Sequence, residues 1–302
     1  MSVGQRLWTY QAERFPLIRT VPLLAVFAAA SINVSAVFAG RELPGIGAYA
    51  VGLLLALIIF FQMRATDEFK DHDDDTRYRP ERPIPRGLVS LRLILGIGLA
   101  LVPVAALVAW LWAAGVFWLL LLVWAWLALM TAEFGVAKWL KARPLIYLVS
   151  HMAIMPLIDL MLTGIEWVPA GGPAPALWLF LVLSIINGCV LEIGRKVWAL
   201  ESEREGVDSY SGLWGAERSA MIWLCVVALA LFFLIAIGLA AGAPLVVALV
   251  GLAGCAGCAW VASSFRRNPT AEWQSRVDNA AGLWVLLCYG VIACLPLFTG
   301  VG

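Results

Sequence analysis

Residues 53–75 read Leu-Leu-Leu-Ala-Leu-Ile-Ile-Phe-Phe-Gln-Met-Arg-Ala-Thr-Asp-Glu-Phe-Lys-Asp-His-Asp-Asp-Asp, an apolar run that passes within a few residues into a block of carboxylates. A second apolar run also ends in charges, because Glu192-Ile-Gly-Arg-Lys196 is followed by four more carboxylates, Glu201, Glu203, Glu205 and Asp208. Apolar runs of this length are typical of membrane-spanning helices, and carboxylates at their ends lie where the helix leaves the bilayer. The two segments, 64–75 and 192–208, therefore predict a charged mouth on a membrane protein.

The overall composition agrees with a membrane location. Hydrophobic residues make up 62% of the 302 residues and charged residues only 14%, and the mean hydropathy is +0.89. Such a chain has too little polar surface to coat a soluble globule. A net charge of +1 gives no indication of nucleic-acid binding, and we predict neither a nucleic-acid nor a protein partner. The six cysteines all fall inside apolar runs, which favours small buried residues over a disulfide framework.

Segments of about twenty apolar residues, the length that a hydrocarbon core of ~30 Å requires, occur nine times. We predict an all-α integral membrane protein, a single transmembrane domain over 1–302, with loops at about 64–90 and 195–217 that cap a central cavity. The predicted spans are 18–40, 44–65, 88–112, 115–135, 145–164, 175–197, 218–241, 243–264 and 279–300.

The basic residues predict the orientation of these spans. Of the 21 Lys and Arg, only Arg41 lies in the short connections of one side, and the other twenty lie in the N-terminal lead-in and in alternate loops. Basic loops are typically cytoplasmic. We therefore expect the N-terminus and the charged mouth to be cytoplasmic and the C-terminus outside, in what we predict to be a bacterial inner membrane.

The first acidic segment has the spacing of a ligand set. If the second span continues as a helix past the membrane surface, Asp67, Asp71 and Asp75 fall at i, i+4 and i+8 on one face. Mg²⁺ prefers one or two carboxylates together with water and phosphate oxygens, so such a stripe would present the ion to a diphosphate. Taken alone, the same residues also fit a solvated acidic loop. The loop that follows adds two Arg-Pro pairs, at 79–80 and 82–83, and then Gly87.

This order of helix, acidic stripe and Pro-stiffened basic loop resembles the UbiA superfamily of intramembrane prenyltransferases. The first motif of that family is Asn-x-x-x-Asp-x-x-x-Asp, followed by an Arg-Pro-rich loop that closes on glycine. Asp71, Asp75 and residues 79–87 match it, while Asp67 stands at the position of the asparagine. The resemblance extends over the chain in span number and loop order, but its specific matches are confined to the two acidic loops.

The second acidic segment departs from the family pattern. The closing loop resembles the family's at Gly206-Val-Asp-Ser-Tyr-Ser-Gly-Leu-Trp-Gly215, but Lys196 stands four residues after Glu192, where a second carboxylate is expected. Two readings remain open. In the first, Glu192 with Glu201 or Glu205 holds a second Mg²⁺ while Arg195 and Lys196 grip the diphosphate; in the second, one metal is lost and the cations replace it.

Further residues are expected at the site. Asn33 and Asn187 are costly within hydrocarbon unless they face a cavity or a partner. The loop 133–144 resembles the Lys-bearing segment of the family, although its lysines also fit the positive-inside rule. The expected catalytic set is Asp67, Asp71, Asp75, Glu192 and Lys196, and the expected Mg²⁺ ligands are Asp67, Asp71, Asp75, Glu192, Glu201 and Glu205. The expected substrate-binding set is Asn33, Arg64, Lys70, Arg79, Arg82, Lys138, Lys141, Asn187, Arg195 and Tyr210.

The resemblance implies a Mg²⁺-dependent enzyme that ionises an isoprenoid diphosphate at the charged mouth and transfers the prenyl group to an acceptor. Two alternatives are kept. The altered second motif also fits a terpene cyclase of the same superfamily, in which the double bonds of the donor capture the cation. A transporter of a divalent metal or another solute is the other alternative, although a transport site is expected near the midplane rather than at one face.

Overall fold

In the computed structural model, which describes residues 1–204 and 209–300, the chain is helical throughout, with two short 3₁₀ turns at Glu133–Gly135 and Leu200–Ser202. The helices are α1 (Val3–Arg14), α2 (Leu17–Phe38), α3 (Ile46–Lys70), α4 (His72–Tyr78), α5 (Leu91–Trp112), α6 (Ala114–Thr131), α7 (Ala137–Lys141), α8 (Pro144–Met152), α9 (Ile154–Ala170), α10 (Leu177–Gly194), α11 (Tyr210–Trp214), α12 (Ala216–Ala240), α13 (Pro244–Arg267), α14 (Ala271–Ala293) and α15 (Pro296–Thr299).

Among the described residues, nine helical segments are long and apolar enough to cross a membrane, as predicted. They are α2, α3, α5, α6, α8 with α9, α10, α12, α13 and α14. The prediction was least accurate for the last span, which begins at Ala271 rather than 279 and ends at Ala293. The Thr270 side chain caps this helix by accepting a hydrogen bond from the Trp273 amide. The helix therefore starts in a polar stretch, which a search for apolar runs does not include in the span.

Each membrane-spanning helix packs against its neighbours in the chain, and α14 returns to α2, which closes a ring. Additional contacts cross the ring between α2 and α9 and between α10 and α14. The helices α2 and α10 are consequently the most buried of the nine spans in the described structure. The predicted arrangement around a centre is thus observed, and it brings the ends of α3, α8, α10 and α14 to the same region.

A second, smaller core covers the end of α3. Tyr10 of α1 packs with Ala65, Ile84, Val89 and Ile94, which come from α3, from the Arg-Pro loop and from α5. Two ion pairs, Arg14 to Glu68 at 2.6 Å and Arg86 to Glu13 at 2.7 Å, fasten α1 to the same elements. The N-terminal lead-in is therefore a docked helix that supports the acidic segment.

Candidate active site at the charged mouth

The first acidic segment forms an almost continuous helix. Asp71 separates α3 from α4, with φ −92° and ψ 6°, but the helical hydrogen bonds continue through it. The Asp71 amide donates to the Asp67 carbonyl at 2.9 Å, and the Asp75 amide donates to the Asp71 carbonyl at 2.7 Å. The predicted face that carries the three aspartates is therefore retained across the break.

Two of these aspartates are accessible for binding. The side chain of Asp67 is 49% exposed, and its nearest cation, Arg64, is 3.6 Å away. Asp71 is half-buried, and burial raises its pKa above the ordinary value, as does the negative charge of Asp75. Asp67 and Asp71 thus present carboxylate oxygens to the mouth.

Asp75 differs from the other two because it is buried and already paired. Its Oδ1 accepts a hydrogen bond from Arg79 at 3.2 Å, and its Oδ2 accepts one from Arg82. The carboxylate is 2% exposed, so both ion pairs are shielded from water on that side. Gly87 ends the loop with φ +74°, a conformation that favours glycine. Asp75 therefore anchors the Arg-Pro loop, and the arginines expected to bind substrate are held in place by it.

The second acidic segment provides one carboxylate and two cations. Glu192 lies 2.8 Å from Lys196 and 3.9 Å from Arg195. Arg195 is the more exposed cation, with 60% of its side chain accessible, and it lies within electrostatic reach of Asp67. At Gly194 an added Cβ would come within 2.5 Å of Ala281, so only glycine lets the end of α10 approach α14 this closely. Since Arg195 reaches the charge of Asp67, the ends of α3 and α10 converge, as a shared mouth requires.

Helix α8 lies between these two ends and holds Lys70. The Lys70 ammonium donates to the Tyr147 hydroxyl at 2.6 Å, contacts His151 Nε2 at 3.0 Å and lies 3.3 Å from Glu133. His151 Nδ1 lies 2.9 Å from the Tyr147 carbonyl. A carbonyl only accepts, so Nδ1 carries the proton and Nε2 is the acceptor for Lys70.

Lys70 thus hydrogen-bonds Tyr147 and His151 and forms an ion pair with Glu133. Lys70, predicted to bind substrate, links α3 to α8 in this structure. Its partner Glu133 is buried and begins a turn in which Glu133 and Phe134 have φ of +47° and +54°. The sequence analysis selected none of Glu133, Tyr147 and His151 as site residues. The only available signal was that Glu133 is an acidic residue at the end of a span, among lysines.

Tyr210 joins the site from α11. It is 5% exposed and stacks on Trp214, with ring centroids 4.9 Å apart. Its amide donates to the Lys196 carbonyl at 3.0 Å, which ties α11 to the end of α10. Burial and the nearby charge of Glu192 raise the pKa of its phenol, so Tyr210 is a neutral hydroxyl at the mouth.

The remaining predicted residues lie elsewhere or at the edge. Asn33 is bound at the opposite end of the helix ring, where it donates to the Ala293 carbonyl at 2.6 Å and accepts from Tyr49 at 2.7 Å. Glu201 accepts a hydrogen bond from the Ala271 amide at 2.7 Å and so caps α14. The structure therefore places Asn33 away from the mouth and engages the Glu201 carboxylate with α14. Glu205 lies outside the described residues.

The lysines of the loop 133–144 stay near the surface. Lys141 is 3.9 Å from Glu133 and its side chain is 59% exposed, while Lys138 is exposed. Asn187 is buried in the wall of an apolar crevice beneath Glu192.

The donor set fits Mg²⁺. Over residues 1–204 and 209–300, no three His, Cys, Asp or Glu side chains are grouped closely enough to hold a metal by themselves. Mg²⁺ does not need such a cage, because it commonly takes one or two carboxylates and completes its shell with water and phosphate oxygens. Asp67 and Asp71, one turn apart and accessible, are a donor pair of that kind.

A sequence profile of the UbiA prenyltransferase family matches residues 24–287. The chain belongs to this family. Its members are prenyltransferases, enzymes that transfer alkyl groups, and the match covers most of α2, most of α14 and all the membrane spans between them.

Two solved structures share the UbiA fold with this chain. One is the apo structure of a UbiA homologue from Aeropyrum pernix K1, with a TM-score of 0.68 and 15% identity, covering 90% of this chain and 98% of that one. The other is described for digeranylgeranylglyceryl phosphate synthase in membranes, with a TM-score of 0.60, 16% identity and coverage of 96% and 99%. A comparison with curated proteins gives no significant match. At these identities the likeness concerns the fold.

Proposed function

We propose that the protein is a Mg²⁺-dependent intramembrane prenyltransferase that binds an isoprenoid diphosphate at the charged mouth and transfers its prenyl group to an acceptor. One observation carries the proposal: on the scaffold of this family, the accessible carboxylates Asp67 and Asp71 lie one turn apart at the end of α3, and Arg195, from the end of a different span, lies within electrostatic reach of Asp67. In this proposal the mouth is cytoplasmic, because twenty of the 21 basic residues lie on its side of the membrane.

In this proposal, different residues of the mouth bind the metal and the diphosphate. Asp67 and Asp71 would hold the metal, which when bound neutralises charge that develops on the leaving diphosphate. Arg195, exposed and only loosely paired, is the cation best placed to contact phosphate oxygens directly. Asp75 keeps Arg79 and Arg82 at the edge of the mouth. These fixed charges favour the diphosphate as a leaving group because they are oriented before the reaction begins.

The reaction balances without an oxidant or reductant. The allylic carbon–oxygen bond breaks, and its electron pair leaves with the diphosphate. The nucleophilic atom of the acceptor then bonds to the prenyl carbon and loses a proton.

At the second motif, the observed contacts support the reading in which cations replace one metal. Glu192 is neutralised by Lys196 at 2.8 Å, and Glu201 is used to cap α14. A carboxylate whose charge is already paired is a weaker metal ligand than a free one. We propose that one Mg²⁺ is bound by the first motif and that Arg195 and Lys196 serve where a second ion would lie.

This cation-rich second motif also keeps the terpene cyclase as a second candidate, because it is the point at which the chain departs from the transferase pattern. Both candidates share the ionisation step and differ in what captures the carbocation. The transporter has no such support, since the chain belongs to a family of enzymes.

The test is an assay of diphosphate release by purified protein in lipid nanodiscs, with Mg²⁺ and prenyl diphosphates of graded chain length. The reactions are run with and without candidate acceptors such as aromatic alcohols and lipid alcohols. Acceptor-dependent release with a prenylated product supports the transferase, whereas a cyclic hydrocarbon formed without an acceptor supports the cyclase. Asp71→Ala should abolish release in both cases. Undiminished release by Asp71→Ala, or no release with any donor, would refute the proposal.

A further inference from the structure

An apolar crevice lies mainly between α2, α10 and α14, on the membrane side of Glu192. It has a volume of about 60 Å³ and is lined by residues of α2, α3, α9, α10 and α14. Leu23 and Leu286, on its rim, are 46% and 39% exposed on the lipid-facing surface. Leu191, the neighbour of Glu192, also lines it. The crevice thus joins the bilayer to the inner side of the proposed site.

Asn187 places an unpaired hydrogen-bond donor in this crevice. Its side chain is 1% exposed, and its Oδ1 accepts a hydrogen bond from Trp284 Nε1 at 3.1 Å. Because an indole N–H only donates, this bond fixes which end of the amide is oxygen. The Nδ2 group is left without a hydrogen-bond partner among the described residues. The Cys288 sulphur lies nearby, but a thiol sulphur is a weak acceptor.

Ser184, one turn earlier on α10, adds a second polar atom. It is fully buried and lines the same crevice. Its hydroxyl lies near the Asp159 carboxylate and the Tyr289 hydroxyl, yet these two groups bond each other at 2.7 Å and the Ser184 oxygen has no hydrogen bond in the described structure. Asn187 therefore offers an unsatisfied donor within an otherwise hydrocarbon-like wall, with the Ser184 hydroxyl one turn away.

A prenyl tail cannot satisfy these groups, because it is pure hydrocarbon. Buried polar groups are costly when unpaired, and natural proteins rarely leave them so without a functional partner. An oxygen atom that accepts a hydrogen bond, carried on an apolar body that enters from the lipid, would satisfy the Asn187 donor.

We propose that this crevice binds the oxygen-bearing end of the prenyl acceptor, a membrane-dissolved alcohol or carbonyl compound, with Asn187 Nδ2 as the recognising donor. The proposal rests on the proposed function, since it names the second substrate of that same site. Leu191 lies one turn beyond Asn187 and next to Glu192, so an acceptor held here would lie just on the membrane side of the diphosphate.

The test measures binding without turnover. Decanol, a decanone and decane, each with the same photoreactive diazirine, are added to the protein in nanodiscs without Mg²⁺ or prenyl diphosphate, and labelled residues are mapped by mass spectrometry. We expect the oxygenated probes to label the crevice around Met155 and Leu191 in preference to decane. Preference for decanol over decanone, or the reverse, distinguishes the two classes of acceptor.

Variants connect the labelling to the proposed donors. Asn187→Leu should reduce crevice labelling by the oxygenated probes roughly tenfold, the loss expected for one buried hydrogen bond. Ser184→Ala is the second variant, because it removes the other polar group of the crevice wall with little change in volume, and it should reduce labelling about threefold. Asn279→Leu, at an exposed position of α14, should change nothing.

Equal labelling by decane, or full labelling of both variants by the oxygenated probes, would overturn the inference. Because the assay contains neither metal nor donor, this outcome is independent of whether diphosphate is released. Where transfer is observed, Asn187→Leu should raise the KM of the acceptor while the KM of the prenyl diphosphate stays constant.

Discussion

The different environments of Asp71 and Asp75 lead to a sharp prediction about their roles. The sequence assigns both to Mg²⁺, but in the structure both oxygens of Asp75 are engaged by arginines while Asp71 faces the mouth. We therefore expect Asp71→Asn to weaken Mg²⁺ binding and Asp75→Asn to loosen the Arg-Pro loop instead.

The size of the Asp75 effect follows from its two ion pairs. Hydrogen bonds to charged groups contribute about 1.5–3 kcal/mol each. Arg79 and Arg82 have 25% and 23% of their side chains exposed, so solvent screening reduces each to about 1 kcal/mol. A loss of about 2 kcal/mol corresponds to roughly 30-fold in an equilibrium constant. Asparagine keeps one acceptor oxygen, so we expect Asp75→Asn to raise the KM for the prenyl diphosphate about tenfold.

The assay is diphosphate release measured over a matrix of Mg²⁺ and prenyl diphosphate concentrations. For Asp75→Asn, the half-saturating Mg²⁺ concentration should stay at the wild-type value while the KM of the donor rises. For Asp71→Asn, the half-saturating Mg²⁺ concentration should rise at least tenfold, since one of two proposed ligands has lost its charge. A melting curve of each variant identifies any loss of folded protein. If Asp75→Asn raises the Mg²⁺ requirement as much as Asp71→Asn does, Asp75 is a metal ligand and the positioning role is wrong.

Three further changes test other parts of the structure. Lys70→Met leaves buried Glu133 without its closest cation and should lower the Tm. Adding Glu133→Gln should restore most of the Tm, because removing both charges of a buried pair costs less than removing one. No recovery in the double variant would contradict the pairing. Arg41→Gln strips buried Glu166 of a cation at 2.7 Å and should cost about 2 kcal/mol of stability in a denaturant titration, with unchanged Mg²⁺ dependence showing that this pair lies away from the site. Finally, the pKa of Asp71 is raised, and its ionised form would bind Mg²⁺. As the pH is lowered at limiting Mg²⁺, activity should therefore begin to fall at a pH above the ordinary aspartate pKa of about 4. An acid limb of the pH profile that excess Mg²⁺ does not shift would count against this role.

The membrane spans and the acidic stripe were predictable because they depend on local sequence. A span needs only an apolar run of the right length, and the nine predicted runs correspond to nine observed ones within the described residues. The face shared by Asp67 and Asp71 follows from helical periodicity, which survives the break at Asp71 because the hydrogen bonds of the helix continue through it. Features of this kind require no knowledge of which helices become neighbours.

The partners of each charge were not predictable, because they depend on how separate helices meet. Glu201 has a carboxylate that could bind a metal ion, but it lies near the start of α14 and caps that helix. From the sequence, Lys70 is a cation that could bind phosphate. In the structure, Tyr147 and His151 of α8 form hydrogen bonds with its ammonium group. The distinction between a charge available to substrate and one consumed by the fold is therefore a tertiary property. It is the reason why the proposed function gives phosphate contact to the loosely paired Arg195 rather than to Lys70, although the two are alike in charge and in position at a helix end.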